Sequence, residues 1–381
     1  MDIKNKIVVI GGDHHNTLGI IESFGEKGIK SYAIIITSRK HSYVCRSKYV
    51  ADGWCCHEDK EVVECLLRNF TDKTDKAVAF TTSDHAACIL DENYASLCEI
   101  LHIPTTLPHG NLAEWMSKEK MSALAKKVGL NVPETRLVTN NALPSGIEYP
   151  VITKAISSVA GTKANIRICQ NESELSNFLQ NQKHCPKIQV QRFIDKAFEF
   201  QLLGCSINHG EDIIIPGRTH IDRPNGLDNT FFLSFDKCEH QLSPLIEKTK
   251  EFIRRTGYSG LFSVEFLRDK NGNDFFTEMN FRNDGNAICV TAAGTNIPYI
   301  YYLATIGQDY KTEIKNSEVK KIYLMPEFYY FQRLLAGEIS IKEWIRNVRK
   351  TNCYTTYFKN DKKPFVYFLA QKVHRIFEKI F

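Results

Sequence analysis

The spacing of apolar positions changes along the chain, and each change predicts a different element. Residues 6–10, Lys-Ile-Val-Val-Ile, form a short apolar run that stops at Gly11-Gly12. From Thr17 to Lys27, Leu18, Ile21 and Phe24 recur at three-residue steps; Gly28 closes the pattern, and a second apolar run, Ser31–Ile36, follows. A short run bounded by glycine reads as a buried strand, and a three-to-four-residue step reads as one face of a helix. The order strand, helix, strand calls for a parallel sheet, because parallel neighbours must be joined by a crossover. Val62–Phe70 predicts a helix before a strand at Ala77–Phe80, and Asp84–Leu101 a helix after it. Residues 1–108 are therefore expected to form a doubly wound α/β domain.

Pro104 and Pro108 mark a linker, and the texture then shifts. A helix is predicted from Ser117, a capping residue, to Val128, with Gly129 as its stop. Strands are predicted at Val151–Lys154, Asn165–Cys169, Ile188–Phe193, Phe198–Ile207, Asp212–Pro216, Leu261–Arg268 and Asp274–Met279, with helices at Glu172–Gln180, Pro244–Thr256 and Tyr299–Thr305. This α+β pattern of antiparallel ribbons and packed helices predicts a second domain over residues 109–310, with lobes at about 109–190 and 191–310. Residues 311–381 form a basic, mainly helical extension. In it Phe365, Phe368, Leu369, Val373, Ile376, Phe377 and Ile380 recur at three- and four-residue steps. Such a stripe packs on the body of a protein or lies in a membrane interface; both readings stay open.

Composition changes this picture little. The chain has 381 residues, 43% hydrophobic and 24% charged, an ordinary globular mixture. No apolar run approaches the ~18–20 residues of a membrane span, and the N-terminus lacks the pattern of a signal peptide. The 12 cysteines form no Cys-x-x-Cys pair, which favours a reducing compartment. A cytoplasmic location is expected, with the inner membrane face as the alternative. Charge is uneven: residues 311–381 carry 15 Lys and Arg against 7 Asp and Glu, leaving the rest of the chain slightly acidic. A basic end can meet acidic surfaces, but no nucleic-acid partner is expected. The loop Gly11-Gly12-Asp13-His14-His15 lacks the dinucleotide-binding glycine spacing, and Thr37-Ser38-Arg39 stand where an acidic residue would end the second strand. A dehydrogenase is disfavoured, whereas a site for an acceptor substrate at these strand ends remains compatible.

The chemistry concentrates later. Ser263-Val264-Glu265-Phe266-Leu267 and Phe276-Thr277-Glu278-Met279-Asn280-Phe281-Arg282 flank an Asn271-Gly272 turn, the sequence of a tight hairpin. Alternation puts Glu278 and Asn280 on one face, and the hairpin brings Glu265 across from them. Two carboxylates and an amide oxygen suit a hard cation such as Mg2+, which binds through one or two carboxylates plus substrate phosphates. Lys118 and Lys154, the latter ending an apolar strand, supply point charges for phosphates. Arg282 and Arg218 offer planar forks for a carboxylate. No nucleophile elbow or dyad is recognisable.

In this order the segments resemble the ATP-grasp superfamily, in its carbamoyl-phosphate-synthetase-like branch, over roughly residues 110–305. The hairpin bearing Glu265, Glu278, Asn280 and Arg282 is similar to the signature of that family. So are Gly129–Thr135, the strand Tyr149–Lys154, and the hinge Gln191-Arg192-Phe193-Ile194. Ser117 departs from the usual Asp, and the loop Ala155–Ala164 contains only Gly161 where the family is richer in glycine. The resemblance implies a carboxylate–amine ligase working through an acyl phosphate. It implies ATP and two Mg2+ ions, replaceable by Mn2+, held by Glu265, Glu278 and Asn280. Lys118, Lys154, the hinge Gln191–Ile194 and Glu199 would bind the nucleotide, with Lys163, Arg218 and Arg282 nearest the reaction. Partners would be ATP, a small carboxylate and an amine, with a homodimer and a weak membrane contact left open. The branch includes ligases that add an amino acid to a cell-wall precursor, and Phe358–Phe365 resembles surface-polysaccharide-associated members. Two alternatives stand: a nucleotide-binding protein without catalysis, and a membrane or glycan-assembly interaction protein acting through its basic tail.

Overall fold

The structure, a computed structural model, describes residues 4–139, 142–155, 166–181, 187–221, 232–315 and 318–380. The predicted loop 155–164 with Lys163 (from residue 156 on), the segment Asp222–Gly226 and Cys185 lie outside the described residues.

The chain opens with β1 (Ile7–Gly12), α1 (His15–Gly25), β2 (Ser31–Ile36), β3 (Val50–Cys56), α2 (Asp59–Asn69), β4 (Ala77–Thr81), α3 (Asp84–Glu92), α4 (Tyr94–Leu97) and β5 (Leu101–His102). The strands form a parallel sheet in the order β3-β2-β1-β4-β5. Strand parity divides the core: Ile7 and Val9 of β1 pack with α1, while Val8 and Ile10 pack with α2 and α3. β3 was not foreseen, because Asp52 and Gly53 break its pattern at a sheet edge. The single helix expected over Asp84–Leu101 is split at Asn93, and Leu101-His102 instead pairs with β4. Gly11 has a packing reason, since a Cβ there would lie 1.8 Å from Thr82 Oγ1.

After α5 (Leu112–Trp115) and α6 (Lys118–Lys127) comes a small antiparallel sheet. It contains β6 (Thr135–Thr139), β7 (Val151–Ala155), β8 (Arg167–Cys169) and β9 (Lys187–Arg192) in the order β6-β9-β7-β8, packed on α7 (Glu172–Gln180).

The largest sheet is built on the long strand β10 (Lys196–Ile207), with β11 (Asp212–Ile221), β12 (Leu233–Asp236), β13 (Gly260–Asp269) and β14 (Asp274–Asn280). One face, through Phe200, Leu202, Phe262 and Val264, packs on α6 and α8 (Ser243–Thr256). The other, through Leu203, Cys205 and Leu261, shares a core with α1, α9 (Ile288–Ala292) and α10 (Ile297–Thr305). This shared core joins the parallel sheet to the large one.

The C-terminal region contains α11 (Lys311–Lys315), β15 (Ile322–Met325), α12 (Glu327–Leu335), α13 (Ile341–Lys350), β16 (Cys353–Tyr354) and α14 (Lys363–Ile380). It is helical as expected, but β15 and β16 also extend the large sheet beyond β12. These short strands carry too few residues to show a period. α14 lies against the connection between β2 and β3 and against α12: Phe368 stacks edge-on to Tyr43 at 5.2 Å and to Phe328 at 5.8 Å. Phe365 and Leu369 are half-buried beside it, so the N-terminal part of the apolar stripe is occupied by packing. Among the described residues no helix is long and apolar enough to cross a membrane.

Candidate active site

The hairpin forms as its Asn-Gly turn demands. Gly272 takes a positive φ of 86°, and Asp269 accepts from the backbone N–H groups of Asn271 and Asn273. Its register sets Glu265 directly opposite Glu278, and Ser263 opposite Asn280. A bulge makes Thr277 the extra residue, and its hydroxyl donates to the Glu265 carbonyl at 2.9 Å. On the other side, β10 pairs Gln201 with Glu265. Gln201, Glu265 and Glu278 therefore form one row across three strands.

Two carboxylates facing each other across an antiparallel pair repel. Burial first, then the charges of Glu278 and Asp284, pushes Glu265 up to about 8. Three neutral or cationic groups offset part of this repulsion. Gln201 Nε2 donates to Glu265 at 3.2 Å, Asn280 Nδ2 does so at 3.2 Å, and Lys118 Nζ lies 3.4 Å from Glu278. Among the described residues no cluster of three His, Cys, Asp or Glu forms a self-sufficient cage. The donor set of two carboxylates and an amide fits a divalent cation that completes its shell with phosphate oxygens and water.

Lys154 belongs to the small sheet yet feels the same groups. Burial first, then Lys118, pushes it down to about 8, against the raising influence of Glu278, Glu265 and Glu199. The small sheet therefore comes within electrostatic reach of the large one: Lys118 pairs with Glu278, and Lys154 feels the same carboxylates. Lys154 Nζ donates to Gln191 Oε1 at 3.0 Å, and Gln191 donates in turn to Thr135 Oγ1 at 3.0 Å. In the hinge, the N–H groups of Arg192 and Phe193 are used internally, by the Glu134 and Pro150 carbonyls at 2.8 and 2.9 Å. The Arg192 side chain is exposed toward Glu148, while Ile194 is buried. Glu199 is ion-paired with Lys196.

Arg282 ends the row. Its guanidinium donates to Asn280 Oδ1 at 2.9 Å, Asp84 Oδ1 at 3.1 Å and Asp284 Oδ2 at 3.4 Å. Arg218 does not join it. Arg218 pairs across β11 with Leu202, the residue after Gln201, and so occupies the opposite face. There it lies 5.6 Å over Phe198 and 5.7 Å over Phe200 and pairs with Glu239 at 2.8 Å. The expected place of Arg218 beside the reacting groups is therefore corrected by one step of strand parity. Sequence reasoning missed Gln201 and Asp84. Gln201 is only 6% exposed and links Glu265 to Asp284 and Asn286. A buried amide in the apolar strand Phe-Gln-Leu-Leu was the available signal.

With this geometry in view, residues 117–315, more than half of the chain, match the family described as carbamoyl-phosphate synthase L chain, ATP binding domain. The chain belongs to this branch of the ATP-grasp superfamily. Its ATP-grasp fold is the class expected from the sequence. The 2-oxoglutarate carboxylase small subunit of Hydrogenobacter thermophilus is 30% identical over 213 residues, 50% of this chain and 43% of that protein. The chain thus spans less than half the length of this curated relative. An L-amino acid ligase from Bacillus licheniformis superposes with a TM-score of 0.64 at 14% identity, covering 84% of this chain and 79% of that one. The biotin carboxylase domain dimer of the H. thermophilus 2-oxoglutarate carboxylase, in complex with MgADP, ADP and bicarbonate, superposes at 0.61 with 20% identity, over 80% and 70% of the two chains. At these identities the structural likenesses speak for the ATP-grasp fold.

Proposed function

We propose that this protein is an ATP-dependent ligase that activates a carboxylate by phosphoryl transfer and hands the acyl group to an amine. The observation that carries the reading is the Glu265–Glu278 pair, opposed in register, with Lys118 on Glu278 and Lys154 within electrostatic reach of both. The cleft is unfavourable to its own charges unless a polyanion and divalent cations enter together.

In this reading Glu265, Glu278 and Asn280 hold two Mg2+ ions, with Mn2+ as a substitute. When bound, the ions neutralise charge on the nucleotide phosphates. Lys154 and Lys118 act as fixed cations on the phosphates, because phosphoryl transfer to a substrate carboxylate needs charge neutralisation and positioning rather than a protein nucleophile. The adenine sits at the hinge, where Ile194 rather than Arg192 or Phe193 is the position for a backbone contact, and the ribose meets Glu199. Arg282, oriented by Asp84 and Asp284, aligns the carboxylate. A carboxylate oxygen bonds to the γ-phosphorus as the bond to the bridging β,γ-oxygen breaks, and ADP leaves. The amine then attacks the acyl carbon and expels phosphate, losing a proton.

The fold shared with an amino acid ligase supports an amino acid as one substrate; a cell-wall or surface-glycan precursor would be the other. The relation to 2-oxoglutarate carboxylase favours a second reading, in which bicarbonate is the acid. A homodimer is part of the proposal and is measured by sedimentation.

Hydroxylamine with MgATP and a panel of acids tests the chemistry. A trapped acyl hydroxamate with ADP release is the expected result. ADP release that requires bicarbonate and yields no hydroxamate selects the carboxylase reading. Nucleotide binding without ADP release for any acid and amine would leave a non-catalytic protein and sink the proposal.

A further inference from the structure

A cavity of about 320 Å3 opens at the carboxyl ends of β1 and β2 and is walled on its far side by α12 and α14. Two cations project into it from opposite ends of the sequence. Arg39, after β2, donates to Asp13 at 3.0 Å and to Gln371 of α14 at 2.6 Å. Lys372, the next residue of α14, lies 4.8 Å over the Tyr329 ring and 5.2 Å over the Phe368 ring, and donates to the Tyr329 hydroxyl at 3.1 Å. Aromatic faces and a hydroxyl fix the ammonium in place.

The carboxylate in the wall is already engaged. Asp13 accepts from Arg39 on one oxygen and from the Ser42 hydroxyl at 2.6 Å on the other. It orients Arg39, leaving the rest of the guanidinium fork for a ligand. His14 contributes no charge near neutral pH, since burial, then His15 and Arg282, pushes it down to about 4. The cavity is therefore cationic, and it adjoins the ATP-grasp cleft. A Cβ on Gly285 would lie 2.6 Å from His15 Nε2, and Asn16 donates to the Asn283 carbonyl at 2.8 Å. Asn283 and Gly285 flank Asp284, which holds Arg282.

We infer that this cavity receives an anionic group, a carboxylate or a phosphate, of the substrate that the cleft acts on, and that the C-terminal helix supplies one of its two cations. Assigning the anion to a ligase substrate rests on the proposed function; the binding of an anion between Arg39 and Lys372 does not. The extension after residue 311 then serves as a wall of the substrate pocket, and α14 must be docked for the pocket to exist.

The test is calorimetry on the full chain, saturated with MgADP, using succinate, L-aspartate and inorganic phosphate as probes. The wild type is expected to bind at least one. Arg39→Gln and Lys372→Met should each weaken that probe at least tenfold, while Lys372→Arg stays within a few-fold. MgADP affinity should be unchanged in all three, which also reports an intact fold. No binding of any probe by the wild type, or unchanged affinity in both charge-removing variants, overturns the inference. Probe binding that depends on both cations, in a protein that fails to bind MgADP, supports the pocket and removes the ligase reading.

Discussion

At the scale of single residues, one rung of the large sheet holds two opposed carboxylates whose mutual repulsion is offset only in part by Gln201, Asn280 and Lys118. Glu278→Gln removes one charge and keeps the shape. Without metal, above pH 8, where both carboxyls would be charged, it should raise thermal stability slightly, because like charges directly opposite across a sheet are destabilising. It should also reduce ADP formation to background. A variant that is less stable yet turns over ATP would contradict the metal assignment. Lys154→Ala should weaken ATP by at least tenfold, about 1.4 kcal/mol, and Lys154→Arg should rescue only in part, because a fork replaces a compact ammonium. Unchanged ATP affinity by calorimetry would make Lys154 an ordinary half-buried lysine. Glu265, Glu278 and Asn280 were legible as a set because a strand has a period of two and the Asn-Gly turn announces the hairpin. Arg218 was misplaced because parity relative to a neighbouring strand depends on register, and the shift between Leu203 and Cys205 is not written in either strand alone.

At the scale of elements, the contact of the C-terminal region with α1 stores a pH dependence. Glu22 of α1 accepts from Ser47 at 2.9 Å and lies beside Asp361, which accepts from the Lys48 N–H at 2.8 Å. Burial first, then the Asp361 charge, pushes Glu22 up to about 8. Its folded pKa lies above its unfolded one, so the folded state binds the extra proton between about pH 4.5 and 8. Stability should fall as pH rises through that window. Glu22→Gln should flatten this slope in urea melts, leaving the variant more stable than the wild type at pH 8 and similar near pH 4.5. An unchanged slope would show that Glu22 titrates normally. For α14, Phe368→Ala should cost about 3–5 kcal/mol if the helix packs as observed, since Phe368 is 5% exposed. A neutral effect, together with vesicle binding that survives in the variant, would return the stripe to the membrane. The amphipathic period was visible in the sequence, but its partner surface, Tyr43 and Phe328, was not.

At the scale of the whole molecule, the ATP-grasp body brings a lysine of one sheet within electrostatic reach of carboxylates on another. MgADP at a hundredfold excess over its Kd should add ~2.7 kcal/mol of stability. Hydrogen exchange should slow in both β7 and β9 and in the β13–β14 hairpin. Protection confined to the parallel sheet would put the nucleotide elsewhere. The sequence by itself determined the local grammar: the strand–helix alternation of residues 1–108, the hairpin, the caps, and the run of motifs that marks the family. These follow from periodicity and turn chemistry, which act over a few residues. Tertiary structure alone decided which faces meet. It turned Arg218 away, brought Asp84 and Gln201 to Arg282 and Glu265, added β15 and β16 to the large sheet, and set Arg39 beside Lys372 across more than three hundred residues. Those placements depend on register, on strand parity and on long-range packing of a shared core, and no short window of sequence carries that information.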